Sequence, residues 1–475
     1  MHANARRAGV AAGAAVAAAL VGLVARLVIG PAHPGYDAAY ALLWGRDLAD
    51  GRLPALDAPV APTPHPLTNL VGALLAPLGA DGGLTALAAL SWVALGAVAV
   101  AAFALGRAVA GPVVGAVFAV LLTTRPLVLA EVGVASLDVP FLALVLAAAT
   151  AAVSRPDRPQ AALWWLLPAG LLRPEAWLLS AVWLLASSDG RPRPRHIAIA
   201  ALAPCLWALA DLAVTGDALF SLTGTRALAD QLDRPQSATS AAGVIGLAIR
   251  TTLGTAVFAA GLAGLVLATR DPRPRLRVPF GLLVAGTVAF LLYGLAGLPV
   301  LARYTLVPSA ALMLFAALAI AGWVGRHPRH GRRRAQAVLG ALLAVLVAVS
   351  VPATAREVGE RADRLELRQA SFDALRELVR SPPLRRDVEG CGTVLVPNHR
   401  AVPLAALWLD RTVPGEVRSQ QLGAPRRGLA ILPATELIAG AAILDPRDPV
   451  PTPRQPPVGW GFRGGNVAWA WYRAC

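Results

Sequence analysis

The sequence predicts an all-α polytopic membrane protein that ends in a small α/β domain. Three observations carry this. Long apolar runs follow one another from the N-terminus to residue 352, the loops between them alternate between arginine-rich and acid-containing, and beyond residue 352 the apolar runs shorten to strand length. A mean hydropathy of +0.59, with 56% hydrophobic and 15% charged residues, excludes a soluble chain of 475 residues, which would need far more polar surface.

A helix needs about 20 residues to cross the hydrocarbon, so each run is tested by length. Residues 8–29 form the first span, behind Arg6 and Arg7. No small-x-small cleavage site follows it and many spans come after, so it reads as a membrane helix rather than a signal peptide. Spans follow at 83–106, 111–130 and 139–153. The run 161–187 has arginine-bearing loops at both ends and is interrupted by Arg173-Pro174-Glu175, which reads as a tight pair of short helices with that tripeptide at the tip. Spans at 197–215, 243–269, 278–298, 305–325 and 336–352 bring the expected total to about 11.

The arginine-rich loops are those with Arg107, Arg155 and Arg158, Arg191 to Arg195, Arg270 to Arg277, and Arg326 to Arg334. Cytoplasmic loops collect positive charge, so the chain is expected in the inner (plasma) membrane with its N-terminus cytoplasmic and its C-terminus extracytoplasmic. The same rule accounts for the net charge of +15, and nucleic acid is not expected as a partner. The chain has no lysine, so its 43 basic residues are all arginine.

Two regions fall outside the membrane domain of residues 1–352 and its spans. The outer loop 30–82 is long for a connection, which points to a function. The tail 353–475 opens with a charged, amphipathic helix over about 356–380 and continues with strand-like runs at Thr393–Val396, Leu429–Leu432, Ala441–Leu444 and Val467–Trp471, and a helix over 400–409. Cys205 lies inside a span and is expected to be a small buried hydrophobe. Cys391 and Cys475 bracket the strand-rich part of the tail, where an oxidising compartment favours a disulfide.

Chemistry is sought among the polar residues at the outer ends of the spans. In Gly35-Tyr36-Asp37-Ala38-Ala39-Tyr40, Asp37 opens an interfacial helix, either as a cap for free N–H groups or as a general base. Glu131 and Asp138 flank the next outer loop, and Asp138 precedes Val139-Pro140 as a cap would. Carboxylates from two such loops can hold an acceptor hydroxyl or a divalent cation. Arg173 and Glu175 read as an internal ion pair or as functional groups. Arg303-Tyr304 opens the tenth span, as an interfacial anchor or, through the arginine fork, as a phosphate grip. His33 and His65 are isolated imidazoles in proline-rich loops, without further ligands at metal spacing. Residues Thr223 to Arg226 of the outer loop 216–242 read as ordinary loop. No nucleotide loop, nucleophile elbow or paired Cys-x-x-Cys is present in the sequence.

Taken in order, Gly35-Tyr36-Asp37-Ala38-Ala39-Tyr40, Thr63-Pro64-His65-Pro66-Leu67, Ala135-Ser136-Leu137-Asp138-Val139-Pro140, Gly170-Leu171-Leu172-Arg173-Pro174-Glu175 and Arg303-Tyr304 resemble the GT-C fold glycosyltransferases. The likeness is to the protein O-mannosyltransferase and aminoarabinose-transferase superfamily, in its actinobacterial forms, and covers about residues 1–325. It implies transfer of a sugar from a polyprenyl-phosphate donor to a glycan, lipid or protein acceptor on the outer face, with inversion. Asp37 would match the catalytic acid of the first loop and Asp138 that of the second, while Arg303 and Arg173 would lie near the lipid phosphate. Where many relatives carry two adjacent acids in the first loop, Asp37 is followed here by Ala38. Two further readings are a transporter or lipid flippase, and a non-catalytic membrane scaffold whose tail binds an envelope partner.

Overall fold

The computed structural model describes residues 2–187, 192–271, 273–324, 330–423, 425–440 and 452–475. The expected strand at Ala441–Leu444 lies outside the described residues. The chain divides into two compact units: Met1–Ala32, Ala89–Leu209 and Pro235–Glu360 form one, and His33–Ala88, Ala210–Arg234 and Arg361–Cys475 form the other.

In chain order the helices are α1 (His2–Ile29), α2 (Tyr36–Ala49), α3 (Pro66–Leu75), α4 (Gly79–Ala110), α5 (Pro112–Thr123), α6 (Pro126–Gly133), α7 (Asp138–Ser154), α8 (Gln160–Leu172), α9 (Glu175–Ala186) and α10 (Pro194–Thr215). There follow α11 (Phe220–Gln231), α12 (Ala238–Leu253), α13 (Thr255–Arg270), α14 (Arg277–Leu295), α15 (Leu306–Ala321), α16 (His330–Arg380), α17 (Pro382–Cys391) and α18 (Val402–Leu409). The strands β1 (Val394–Val396), β2 (Val417–Ser419), β3 (Gly428–Pro433), β4 (Gly461–Gly465) and β5 (Trp469–Ala474) all belong to the tail.

Among the described residues six helices are long and apolar enough to cross a membrane, or up to eight if each of two bent pairs is one span; α7, α8 and α9 are shorter apolar helices. The protein is a multi-pass membrane protein. The first unit is built around α15, whose residues are nearly all buried, Met313 to Ala317 completely. Its outer helices instead expose large apolar side chains, such as Leu27 and Val28 of α1 and Leu342 and Val349 of α16, a surface that only lipid accommodates. Cys205 of α10 is exposed as well, contrary to the expected burial, because it lies on the outward face of its helix.

Two runs that read as continuous spans are broken. The α5–α6 pair bends by 59° and the α12–α13 pair by 109°. At the second break Gly254 adopts φ +75°, a conformation that costs a residue with a Cβ, and the chain turns away before the Leu253 carbonyl finds an intrahelical donor. Arg125, at the first break, supplies one: its guanidinium donates to Leu253 O at 2.7 Å and to Leu121 O at 2.9 Å, so one buried side chain serves both interruptions. The third difference is at α16, where the sequence places a span and then a separate amphipathic helix. Both are one 51-residue helix with Pro352 inside it. The tail end of α16 is amphipathic as expected: Phe372, Leu375, Leu378 and Val379 fall at helical spacing and enter the core of the second unit.

That second unit is a sheet of order β2-β1-β3-β5-β4, parallel across β2, β1 and β3 and antiparallel across β3, β5 and β4. Alternation along the strands sends Val394, Val396, Leu429, Ile431, Trp469 and Trp471 to one face, which packs on α2, α17, α18 and the end of α16; Leu395 and Ala430 cover the other face with Trp460. Trp469 Nε1 donates to Ser371 O at 2.7 Å, and Arg380 pairs with Asp81 at 2.6 Å. Cys391 and Cys475 form the expected disulfide, closing α17 onto the end of β5. The short strands β2 and β4 were not expected, and α11 occupies the loop that reads as irregular in sequence.

Beside the disulfide, Asp387 accepts hydrogen bonds from Trp471 Nε1 at 3.1 Å and Arg473 Nη1 at 2.7 Å. Burial alone would raise this carboxyl, but the two hydrogen bonds and the charges of Arg473 and Arg463 together hold it below the usual carboxylate range. A depressed carboxyl stabilises the fold above the unfolded value, about pH 4, and that contribution is lost as pH falls through the folded value. Asp387→Asn is therefore expected to cost about 1–3 kcal/mol near neutral pH and to flatten the fall in melting temperature at and below about pH 4, read by thermal unfolding of the detergent-solubilised protein. A wild-type acid limb retained in the variant would contradict this.

Candidate active site

Each unit contains charged side chains that the sequence singles out. In the first unit, Asp138 is the opening residue of α7, after Leu137 as cap, with Pro140 in the first turn. Arg173 closes α8 in an extended conformation, and Pro174 caps α9, so Glu175 begins the next helix. The proline break thus carries two opposite charges a single step apart. The Arg173 guanidinium bonds Asp138 Oδ1 through Nη1 and Glu175 Oε1 through Nε at 2.9 Å, and its Cζ lies 4.2 Å from the Tyr304 ring centroid and 5.7 Å from that of Phe141. Ser136 Oγ donates to Asp138 Oδ2 at 2.8 Å, and Arg303 Nε stands 3.7 Å from the same oxygen.

The sequence-predicted residues Asp138, Arg173, Glu175, Arg303 and Tyr304 are therefore brought together, although they come from three separate stretches of chain. Arg173 is spent on this network: its side chain is 6% exposed and faces two carboxylates and two aromatic rings. Arg303 is the more accessible cation of the pair, with 27% of its side chain exposed. Glu131 sits in α6 of the same unit, half-buried.

The second cluster surrounds the start of α2. Gly35 caps this helix, so Asp37 is not the cap; it lies in the first turn, where a carboxylate is favoured by the helix dipole. Tyr36, beside it, donates its hydroxyl to Val60 O and packs edge-on against the buried His399 ring at 5.4 Å. Burial pushes the Tyr36 hydroxyl well above the usual tyrosine range, Tyr40 and Asp37 push the same way, and Arg234 and Arg400 oppose them. Arg368, in the last third of α16, lies within electrostatic reach of both Asp37 and Arg400. His65 occupies the cap position of α3, ahead of Pro66, and its backbone carbonyl accepts from Asn69 N and Thr68 Oγ1.

Sequence reading singles out Asp37 as a candidate and does not single out Arg234, Arg368, His399 or Arg400, which the structure brings near the start of α2. One signal was present: His399 and Arg400 stand between a strand-like run and a helix, the position at which α/β domains bind ligands. Among the described residues no three His, Cys, Asp or Glu side chains gather as a metal site requires.

The fold is that of the GT-C membrane glycosyltransferases, the class that the ordered outer-loop motifs resemble. The chain is similar to ArnT from Cupriavidus metallidurans bound to undecaprenyl phosphate, with a TM-score of 0.56 and 14% identity over 96% of this chain and 97% of that one. It is similar also to the archaeal oligosaccharyltransferase AglB from Archaeoglobus fulgidus in complex with an inhibitory peptide and a dolichol-phosphate, with a TM-score of 0.53, 12% identity and coverage of 84% of this chain and 63% of that one. A structure of the Archaeoglobus fulgidus enzyme in complex with Zn and sulfate gives a TM-score of 0.51 at 12% identity, covering 84% of this chain and 61% of that one. At these identities the likeness establishes the fold alone. No protein-family model and no curated protein sequence matches the chain.

Removing Arg173 would strand Asp138 and Glu175 as buried charges. Arg173→Met is expected to lower stability by about 3–5 kcal/mol, while Glu175→Gln, which leaves the Asp138 pair in place, costs less. Thermal unfolding in detergent reads the difference, and equal losses would refute the central position given to Arg173.

Proposed function

We propose that this chain is an integral-membrane glycosyltransferase that moves a sugar from a polyprenyl-phosphate carrier to an acceptor hydroxyl on the extracytoplasmic face, with Asp37 as general base. What carries the reading is the start of α2: a carboxylate in a helix first turn, with Arg368 within electrostatic reach of Asp37 and with Arg234 and Arg400 within reach of the neighbouring Tyr36, in a GT-C fold. The neighbours in that fold were solved with undecaprenyl phosphate and dolichol-phosphate, which supports a lipid-linked donor here.

In the proposed step Asp37 takes the proton of the acceptor hydroxyl as its oxygen attacks the anomeric carbon. The bond from that carbon to the phosphate oxygen breaks, and the electron pair leaves with the phosphate. Guanidiniums stabilise the charge that grows there, and attack opposite the phosphate inverts the anomeric centre. The acceptor, whether glycan, lipid or protein, needs only a hydroxyl. No step is routed through a divalent cation, because the residues around Asp37 are cationic rather than a ligand set. Asp138 holds Arg173 and acts by position, and Glu131 enters no step. The alternation of loop charge supports a reaction on the outer face, with the N-terminus cytoplasmic and the C-terminus extracytoplasmic.

Asp37→Asn keeps the shape and removes the base. Transfer from a panel of polyprenyl-phosphate sugars by the purified protein in lipid is expected to fall by about 10²-fold or more in kcat, with little change in donor KM. Undiminished turnover would end the assignment of Asp37.

A further inference from the structure

The first unit has a pocket at the end of its spans opposite to the Arg173 network. Helices α13 and α15 run side by side in the same direction, because Gly261 and Gly264 let α13 approach Leu312 and Phe315; a Cβ at Gly264 would fall 1.8 Å from Phe315 O. The two helices end together, at Arg270 and Ala321. Arg303 and Tyr304 stand just ahead of α15, so the far end of this 16-residue helix lies roughly 24 Å from them at 1.5 Å per residue. There the pocket offers about 460 Å³ of empty space, part of it open to solvent. Its floor is apolar, with Leu267, Leu276 and Leu318, and its rim carries Asp271, Arg273 and Gln336 beside Trp323. A tryptophan next to the arginine-rich stretches 270–277 and 326–334 marks this end as a boundary between lipid and water.

On the rim Arg273 Nη2 donates to Asp271 Oδ2 at 2.6 Å, with 37% and 54% of the two side chains exposed. That bond uses one guanidinium N–H and one carboxylate oxygen. The remaining N–H groups of Arg273 and Oδ1 of Asp271 have no hydrogen-bond partner among the described residues. The rim therefore presents one charge of each sign: an anion alone would be repelled by Asp271, and a cation alone by Arg273. A ligand that carries both charges is attracted by both. The carboxyl ends of α13 and α15 meet here and favour its cationic part. Away from the rim the same wall is apolar on its outside, with Leu262 and Val266 exposed on α13 and Val338 and Leu342 on α16. We infer that the pocket binds the headgroup of a zwitterionic phospholipid, its phosphate on the Arg273 guanidinium and its ammonium on Asp271, with the acyl chains along α13 and α16. The site shares no residue with the proposed reaction and stands whether or not that reaction does.

The test is lipid binding by the full-length, delipidated protein in detergent, read by native mass spectrometry. The probes are phosphatidylethanolamine, phosphatidylglycerol, which has the phosphate without the ammonium, and glycerophosphoethanolamine, which has the headgroup without the chains. Wild type is expected to bind phosphatidylethanolamine saturably and about tenfold more tightly than phosphatidylglycerol. Asp271→Asn is expected to weaken phosphatidylethanolamine about tenfold and phosphatidylglycerol not at all, which abolishes the preference, and Arg273→Gln to weaken both lipids about tenfold. A half-exposed ion pair contributes little to folding, so both variants are expected to fold; if Asp271→Asn does not, the preference of wild type and the affinities of Arg273→Gln decide. Phosphatidylglycerol bound by wild type as tightly as phosphatidylethanolamine, an unchanged phosphatidylethanolamine affinity in either variant, or no saturable binding of lipid overturns the inference. Glycerophosphoethanolamine that displaces the lipid at equal concentration overturns it as well, because the ligand would then be water-soluble rather than a phospholipid.

Discussion

Lipid supplies no hydrogen-bond partner and no counter-charge, and this constraint organises the first unit. Every long apolar run must be helical, and wherever a helix stops short inside the unit something in the protein has to answer for the exposed peptide groups. Arg125 does so for the breaks after α5 and α12, reaching the Leu121 and Leu253 carbonyls with one guanidinium. Arg173 does the related task for charge, since the carboxylates of Asp138 and Glu175 are tolerable in a buried position only with a cation between them. Arginine suits both tasks because its planar, permanently charged head donates in several directions at once.

The second unit works under the opposite condition. Its core is large enough to hold a helix that is apolar along most of its length: Ala38 to Gly45 of α2 are all buried. Gly45 and Gly72 allow α2 and α3 to touch backbone to backbone, because a Cβ at either position would fall about 2 Å from the other helix. One side of α2 is closed by α3 and another by α18, and Asp37 lies in its first turn.

The legible and illegible parts of this protein separate by range along the chain. Loop charge and run length report locally, so the spans, the helix at Asp37, the amphipathic end of α16, the strands β1, β3 and β5 and the cysteine pair were readable. Gly254 was not, since a glycine inside an apolar run looks the same whether it lets helices pack or breaks one. Strand β2 is Val-Arg-Ser and β4 is Gly-Phe-Arg-Gly-Gly, too short or too rich in glycine for a period of two to register; pairing with longer neighbours is what makes them strands. Among the charged side chains, Asp138, Arg173 and Arg303 announced themselves by sitting at span ends. Arg234, Arg368 and Arg400 did not, because each lies in a stretch with ordinary reasons to be charged.

The two groups of charged side chains differ in how tightly they are paired. In the first, Arg173 and Arg303 face Asp138 and Glu175, so the group is neutral as it stands and adding a phosphate would require the protein to break pairs it has already formed. In the second, Arg234 and Arg400 lie within electrostatic reach of Tyr36, and Arg368 within reach of Arg400 and Asp37, among side chains that are partly accessible. A phosphate that leaves a sugar gains negative charge as the bond breaks, to about −1.5 to −2 for a monoester near neutral pH. Groups fixed in place before that charge develops stabilise the transition state more than the ground state, which is the condition for accelerating the step rather than merely tightening binding. A neutral cluster meets that condition only by rearranging, and under the proposed function the arginines near Asp37 are the groups asked to meet it.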